Sequence, residues 1–215
     1  MNTILSSTIS FVKETLANAE AGHDWFHIER VYKSAIEINK TEKGNGLVVQ
    51  LAALLHDIAD SKFNNGDEEI GPNKASDFLK SINVDVETIN HVKLIIQNMS
   101  FKNSFDSVSF NSKELQIVQD ADRLDAIGAI GIARAFTYGG FKNRVLYDPE
   151  IKPVTEHSKE SYKNTSAPTI NHFYEKLLLL KDMMNTETGK ALALGRHEFM
   201  ETFLDQFYAE WEGKR

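Results

Sequence analysis

Residues 47–59 read LVVQLAALLHDIA, and they are apolar on nearly every side until His56 and Asp57. At helical spacing this segment predicts a helix that is buried all round. An imidazole beside a carboxylate is costly there unless another group satisfies both. A metal ion would satisfy both, because histidine and aspartate are common ligands. Alternatively, His56 meets the negative end of the helix dipole and Asp57 is solvated.

The rest of the chain also favours helices. Apolar residues recur at helical spacing, alternating strand patterns are nearly absent, and none of the four prolines precedes Pro72. We therefore predict an all-α helical bundle. One of its predicted helices, over residues 113–136, could be broken at Gly128 or Gly131. Residues 138–168 are predicted to form a long irregular loop, of the kind that often binds ligands. The predicted helices are 3–20, 24–42, 47–59, 73–82, 86–99, 113–136, 169–185 and 187–212.

The composition excludes several kinds of protein. No cysteine is present, so disulfides, thiolate zinc sites, iron–sulfur clusters and cysteine nucleophiles are ruled out. A net charge of −7 argues against a nucleic-acid partner or an acidic-membrane surface. No apolar run reaches the ~18 residues that span a bilayer, and the first residues lack the basic start of a signal peptide. We expect one cytoplasmic domain over residues 1–215, as a monomer or a homodimer.

A second polar cluster opens the predicted 24–42 helix. His23 and His27 are four residues apart, so they share a helical face. Asp24 could accept the second ring proton of His27, as carboxylates often do beside a metal-bound histidine, or it could cap the helix. His23 offers a similar group one turn from His27, so spacing alone does not choose between the two histidines.

A third cluster contains three aspartates in the stretch QDADRLD. At ~100° per residue, Asp122 and Asp125 lie within ~60° of each other, and Asp120 points nearly the opposite way. The face that carries Asp122 and Asp125 is otherwise apolar. Two acids on such a face imply a cation, a shared proton or a water-filled cleft. We expect Asp120 to be solvated.

These three clusters resemble the motifs of the HD-domain phosphohydrolase superfamily. His27 lies in D-x-x-H-x-x-R-V, His56 and Asp57 lie in L-L-H-D-I-A-D, and Asp122 lies in D-A-D-R-L-D. The surrounding sequence looks like the bacterial branch of small single-domain members, with a motif core over about residues 20–140 and C-terminal helices over 169–212. The resemblance implies one divalent ion held by His27, His56, Asp57 and Asp122. Mn²⁺, Mg²⁺, Fe²⁺, Co²⁺ and Ni²⁺ all suit such ligands.

The resemblance also implies a reaction. Relatives in this branch suggest hydrolysis of nucleoside triphosphates to the monophosphate and pyrophosphate. Two rival reactions are nucleoside monophosphate dephosphorylation and guanosine tetraphosphate-type hydrolysis. A non-enzymatic alternative is a nucleotide sensor in which the metal only fastens the bundle.

Further residues acquire candidate roles by their positions. Asp60 and Asp125 are candidate general bases, and Lys62 could hold a phosphate beside the ion. The candidate substrate-binding residues are Lys62, Asn98, Lys102, Arg123 and Arg134. Lys62, Lys102 and Arg134 could instead be ordinary surface charges. His91 shares a helical face with Asn98 and could line the cleft. Members of the superfamily that bind two or more metals have two further histidines between the His-Asp pair and the last aspartate. Here His91 is the only histidine in that interval, so the resemblance does not imply a full two-metal site.

Overall fold

A computed structural model describes residues 2–17, 19, 24–59, 69–99, 110–154 and 167–215. Over these ranges the chain is helical and contains no strand, which confirms the all-α prediction. A 3-10 helix, Leu177–Met183, precedes the last α-helix. The α-helices of the described residues are α1 Asn2–Thr15, α2 Trp25–Glu42, α3 Gly46–Leu55, α4 Ile70–Ser81, α5 Val86–Gln97, α6 Lys113–Asp125, α7 Gly128–Phe141, α8 Asn171–Glu175 and α9 Glu187–Trp211.

The chain divides into two compact units, Met1–Asp122 and Arg123–Arg215. The boundary falls within the last turn of α6, so this helix belongs to both units. A single domain over residues 1–215 stays a prediction. In the described residues, no helix is both long enough and apolar enough to cross a membrane.

The first unit is built around α3, which packs against α1, α2 and α5. The Asn45 side chain caps α3 by accepting from the backbone N–H groups of Leu47 and Val48. The middle of the helix is buried all round, as its composition predicts. The helix ends at Leu55 rather than at residue 59, so His56 and Asp57 lie in the turn that follows it.

Contacts at the start of α3 show how the helices of this unit are oriented. The backbone N–H of Asn45 donates to Glu114 at the start of α6, at 2.7 Å. The starts of α3 and α6 therefore lie together, and their other ends carry His56 and Asp122. A connection of three residues joins α2 to α3, so these neighbours run antiparallel. This arrangement brings the first turn of α2, with His27, to the end that carries His56.

The second unit contains α7, α8 and α9, and α7 packs against α9. A row of phenylalanine rings fills part of its interior: Phe173 lies 5.9 Å from Phe203, and Phe203 lies 6.1 Å from Phe207, centroid to centroid. The predicted 169–185 helix is wrong as one element, because it breaks at Lys176 between α8 and the 3-10 helix.

The predicted 113–136 helix also breaks. It divides between α6 and α7, where Gly128 adopts a φ of +73°. The predicted loop over 138–168 begins later than expected, because α7 continues to Phe141. Residues 142–154 contain no helix or strand. The rest of that prediction, 155–166, lies outside the described residues.

Candidate metal centre

His27 is placed by the cap of α2. The Asp24 side chain accepts a hydrogen bond from the backbone N–H of His27, at 2.9 Å. This bond supports the capping interpretation of Asp24. The His27 side chain is 3% exposed. His23 lies outside the described residues.

His56 is oriented by its own helix. Its Nδ1 lies 2.9 Å from the backbone oxygen of Ala53, which can only accept. The ring therefore carries its proton on Nδ1, and the lone pair of Nε2 is available to a metal ion. The rings of His27 and His56 are 5.4 Å apart and inclined by 67°. The two rings are therefore neighbours that are steeply inclined to each other.

Carboxylates complete the cluster. Asp122 Oδ1 lies 3.5 Å from Nε2 of His27 and 3.8 Å from Nε2 of His56. Donor atoms of His27, His56 and Asp57 all lie within 4.8 Å of one another. The Asp122 distances are long for hydrogen bonds. They suit ligands of one ion, because atoms bound at about 2.0–2.2 Å lie roughly 3–4 Å apart.

The donor set fits the expected ion. Two imidazole nitrogens and two carboxylates suit a borderline or hard divalent metal. The structure brings together the four side chains that the motifs single out, and it takes them from α2, the turn after α3, and α6. Their binding of an ion stays a prediction.

The expected exposure of Asp120 is wrong. Asp120 is fully buried, whereas the Asp122 side chain is 39% exposed. The helical phase predicts that the two residues point apart. It does not predict which side of α6 faces solvent. Its residues Ile117, Ala121 and Leu124 are all buried, so the side opposite Asp122 is interior.

His91 does not lie with the four ligands. Its Nε2 is 3.0 Å from Ser112 Oγ and 3.5 Å from Glu114 Oε2, at the start of α6. Glu114 precedes Asp122 by eight helical residues, or about 12 Å. His91 therefore lies about two turns of α6 away from Asp122, and its place along the cleft stays a prediction. Burial raises the pKa of Glu114, but hydrogen bonds such as that from Asn45, together with His91, outweigh burial and lower it overall.

The other predicted site residues have distinct surroundings. The Asn98 side chain donates to the backbone oxygen of Leu94, one turn earlier on α5, at 2.8 Å. Arg123 donates to the backbone oxygen of Met183 at 2.7 Å. Asp60, Lys62 and Lys102 lie outside the described residues, so their expected roles stay predictions.

Asp125 is buried and forms an ion pair with Arg134. One Arg134 nitrogen lies 2.5 Å from Asp125 Oδ2 and 3.2 Å from its backbone oxygen. A second arginine, Arg196, reaches the same turn by donating to the backbone oxygen of Leu124. The sequence does not single out Arg196, because 72 residues separate it from Leu124 and no motif surrounds it.

Comparison with known proteins identifies the family. The HD domain profile matches residues 25–127, a range that contains all four proposed ligands. YpgQ of Bacillus subtilis is 38% identical over 208 residues, which span 95% of this chain and 92% of YpgQ. The chain belongs to the HD-domain phosphohydrolase superfamily. At this general level it is a metal-dependent phosphohydrolase.

Solved structures of similar proteins have the same fold. An HD-superfamily hydrolase from Bacillus thuringiensis is 48% identical, with a TM-score of 0.76, over 97% of this chain and 96% of its own. A Lactobacillus plantarum protein is 39% identical, with a TM-score of 0.83, over 99% of both chains. The structure of YpgQ in complex with ADP is 35% identical, with a TM-score of 0.75, over 97% of this chain and 95% of its own.

Proposed function

We propose that this HD-domain protein hydrolyses nucleoside triphosphates to the monophosphate and pyrophosphate. The observation that carries the proposal is the convergence of Asp122 on the Nε2 atoms of His27 and His56, at 3.5 and 3.8 Å. The complex of YpgQ with ADP supports a ligand with a base, a sugar and a phosphate chain.

His27, His56, Asp57 and Asp122 would hold one divalent ion. When bound, such an ion withdraws charge from a phosphoryl oxygen and lowers the pKa of water. The chain contributes orientation, because the bond from His56 Nδ1 to Ala53 fixes which nitrogen faces the site. The Asp24 cap likewise fixes the first turn of α2 beneath His27.

In the proposed reaction, water attacks the α-phosphorus. The bond between that phosphorus and the oxygen bridging to the β-phosphate breaks, and pyrophosphate leaves with the bonding electrons. A carboxylate takes the proton of the attacking water, and we assign that role to Asp60. Lys62 and Lys102 are the proposed partners of the phosphate chain, with Asn98 and Arg123 as further candidates.

Asp125 is a weaker candidate for the general base than Asp60. A carboxylate whose side chain is 4% exposed and paired with an arginine is poorly placed to take a proton from water. Its pairing with Arg134 also occupies a side chain expected to bind phosphate. We therefore propose that Asp125 and Arg134 have a positioning role.

Product analysis tests the function. The protein is incubated with nucleoside triphosphates, nucleoside monophosphates and guanosine tetraphosphate, each with Mn²⁺, Mg²⁺, Co²⁺ or Ni²⁺, and with Fe²⁺ under anaerobic conditions. Pyrophosphate and a monophosphate in equal amounts support the proposal. Inorganic phosphate released from nucleoside monophosphates indicates a monoesterase. Pyrophosphate released from guanosine tetraphosphate and from no other substrate indicates guanosine tetraphosphate-type hydrolysis. Tight nucleotide binding without turnover indicates the sensor.

A further inference from the structure

The last turn of α6 ends in a buried charge. Asp125 is the final residue of the helix, and its side chain is 4% exposed. A carboxylate removed from water is destabilising unless cations and hydrogen bonds compensate it. Arg134, on α7, supplies both through its bonds to Oδ2 and to the backbone oxygen of Asp125.

Arg196, on α9, approaches the same turn. It donates to the backbone oxygen of Leu124, and its charge interacts with the Asp125 carboxylate. Burial lowers the pKa of Arg196, and the carboxylate opposes that effect. Arginine keeps its charge under such conditions. Two arginines from two helices therefore surround one acid.

The backbone allows this approach at Gly128. A Cβ atom on Gly128 would lie 3.0 Å from both Cβ and Cγ of Arg196, and the φ of +73° is itself unfavourable for other residues. Because Gly128 has no side chain, the Arg196 stem can pass directly over the first residue of α7. The close approach to Gly128 and the bond to the Leu124 carbonyl are two separate observations about Arg196.

The last four carbonyl groups of a helix have no partner within it. Here Arg196 binds the carbonyl of Leu124 and Arg134 binds that of Asp125, so the end of α6 is capped by side chains. Cations also interact favourably with the negative end of the helix dipole. The final turn of α6 is thereby held from outside the helix.

Asp122 lies on this helix, one turn before Asp125. We propose that Arg196 and Arg134 are positioning residues, which hold the end of α6 so that Asp122 presents its carboxylate to the metal ion. This inference rests on the proposed function only in taking Asp122 as a ligand. It requires no particular substrate.

The test measures Mn²⁺ affinity without nucleotide, by electron paramagnetic resonance of the free ion. Arg196→Met removes the donors and keeps much of the apolar stem; we expect the dissociation constant to rise about tenfold, the lower range for residues that orient ligands. Arg196→Lys keeps a cation and a donor, and it should restore part of the affinity. Lys190→Met is the control, because Lys190 is on the same helix and pairs with exposed Glu187.

The outcomes distinguish a role of Arg196 in positioning Asp122 from a role in folding stability alone. Circular dichroism confirms that each variant folds, and Arg196→Lys carries the test if Arg196→Met does not fold. A lower Tm with unchanged Mn²⁺ affinity in the folded Arg196 variants would overturn the inference, as would a wild-type chain that binds no Mn²⁺. If the wild type binds Mn²⁺ but cleaves no nucleotide, the proposed function fails, and a selective loss of affinity in the Arg196 variants still supports positioning.

Discussion

At the scale of single residues, residue type and order along the chain predict the four proposed ligands, which the structure brings together. His56 and Asp57 were also indicated by the cost of placing polar groups after an apolar helix. The sequence could not reveal which nitrogen of His56 faces the cluster. That choice depends on the Ala53 carbonyl, which becomes a partner only when the helix forms. The motif predicts which residues form the cluster, whereas the orientation of the His56 ring is visible only in the fold.

Asp57→Asn tests the metal centre at this scale. The substitution keeps the shape of the side chain and removes a ligand charge, so we expect Mn²⁺ affinity and hydrolysis to fall at least tenfold. Both are measured on the purified variant. Asp77→Asn is the matched control, because Asp77 is exposed on α4 and pairs with Lys80. Full activity in Asp57→Asn would show that the ion is held elsewhere.

Gly128→Ala tests the close approach of Arg196. The positive φ disfavours alanine by roughly 1–2 kcal/mol, and the new methyl group displaces the arginine stem. Urea unfolding should show lower stability, and Mn²⁺ binding should weaken.

Gly195→Ala is the control for Gly128→Ala. Gly195 is also helical, and a Cβ there meets no atom within 4 Å. It should raise stability by about 0.5–1 kcal/mol. Equal effects of the two substitutions would contradict the role assigned to Gly128.

Whole helices were predicted better than their ends. Periodicity located α2, α4, α5 and α9, because apolar spacing reports the buried face. It failed where tertiary contacts decide the outcome. Asp120 is buried because α6 is enclosed on more than one side, and the 169–185 segment breaks at Lys176 although its apolar pattern is continuous. Neither fact is encoded in local spacing.

The cap of α2 provides a prediction at the scale of an element. Asp24→Ala removes the acceptor for the His27 N–H and should lower stability by about 1 kcal/mol. Asp24→Asn keeps an effective cap, so stability and Mn²⁺ affinity should stay close to those of the wild type. Urea unfolding and Mn²⁺ titration measure the two properties.

Asp85→Ala is the matched control for Asp24→Ala. Asp85 caps α5 in the same way, through the N–H of Thr88. Its loss should lower the Tm and leave Mn²⁺ affinity unchanged. A large loss of Mn²⁺ affinity in Asp24→Asn would instead show that the carboxylate orients the His27 ring.

At the scale of the whole molecule, the division into two compact units was not predictable. The boundary lies inside α6, where the sequence continues without a change in composition or a linker. Boundaries inferred from sequence depend on such linkers. The second unit carries none of the proposed metal ligands, yet it contains the arginines that hold the end of α6.

The second unit should also respond to mild acid. Burial, together with the positive charges of Lys176 and Arg144, lowers the pKa of His172 from an ordinary 6.5 to about 4. The unfolded chain therefore binds a proton between these values when the folded chain does not. The contribution of His172 to the free energy of unfolding is complete well above pH 6.5. It is lost as the pH drops towards 4, by roughly 1 kcal/mol per pH unit.

Urea unfolding at pH 7.5 and pH 5.0 measures this loss. Trp25→Phe leaves Trp211, in the second unit, as the fluorescent reporter. In that background, His172→Gln should remove most of the difference between the two pH values, whatever its effect on stability at pH 7.5. Glu114→Gln is the control: because the pKa of Glu114 lies below its ordinary 4.5, its carboxylate is charged at both pH values, and the pH difference should persist. An unchanged pH difference in His172→Gln would show that another group senses the acid.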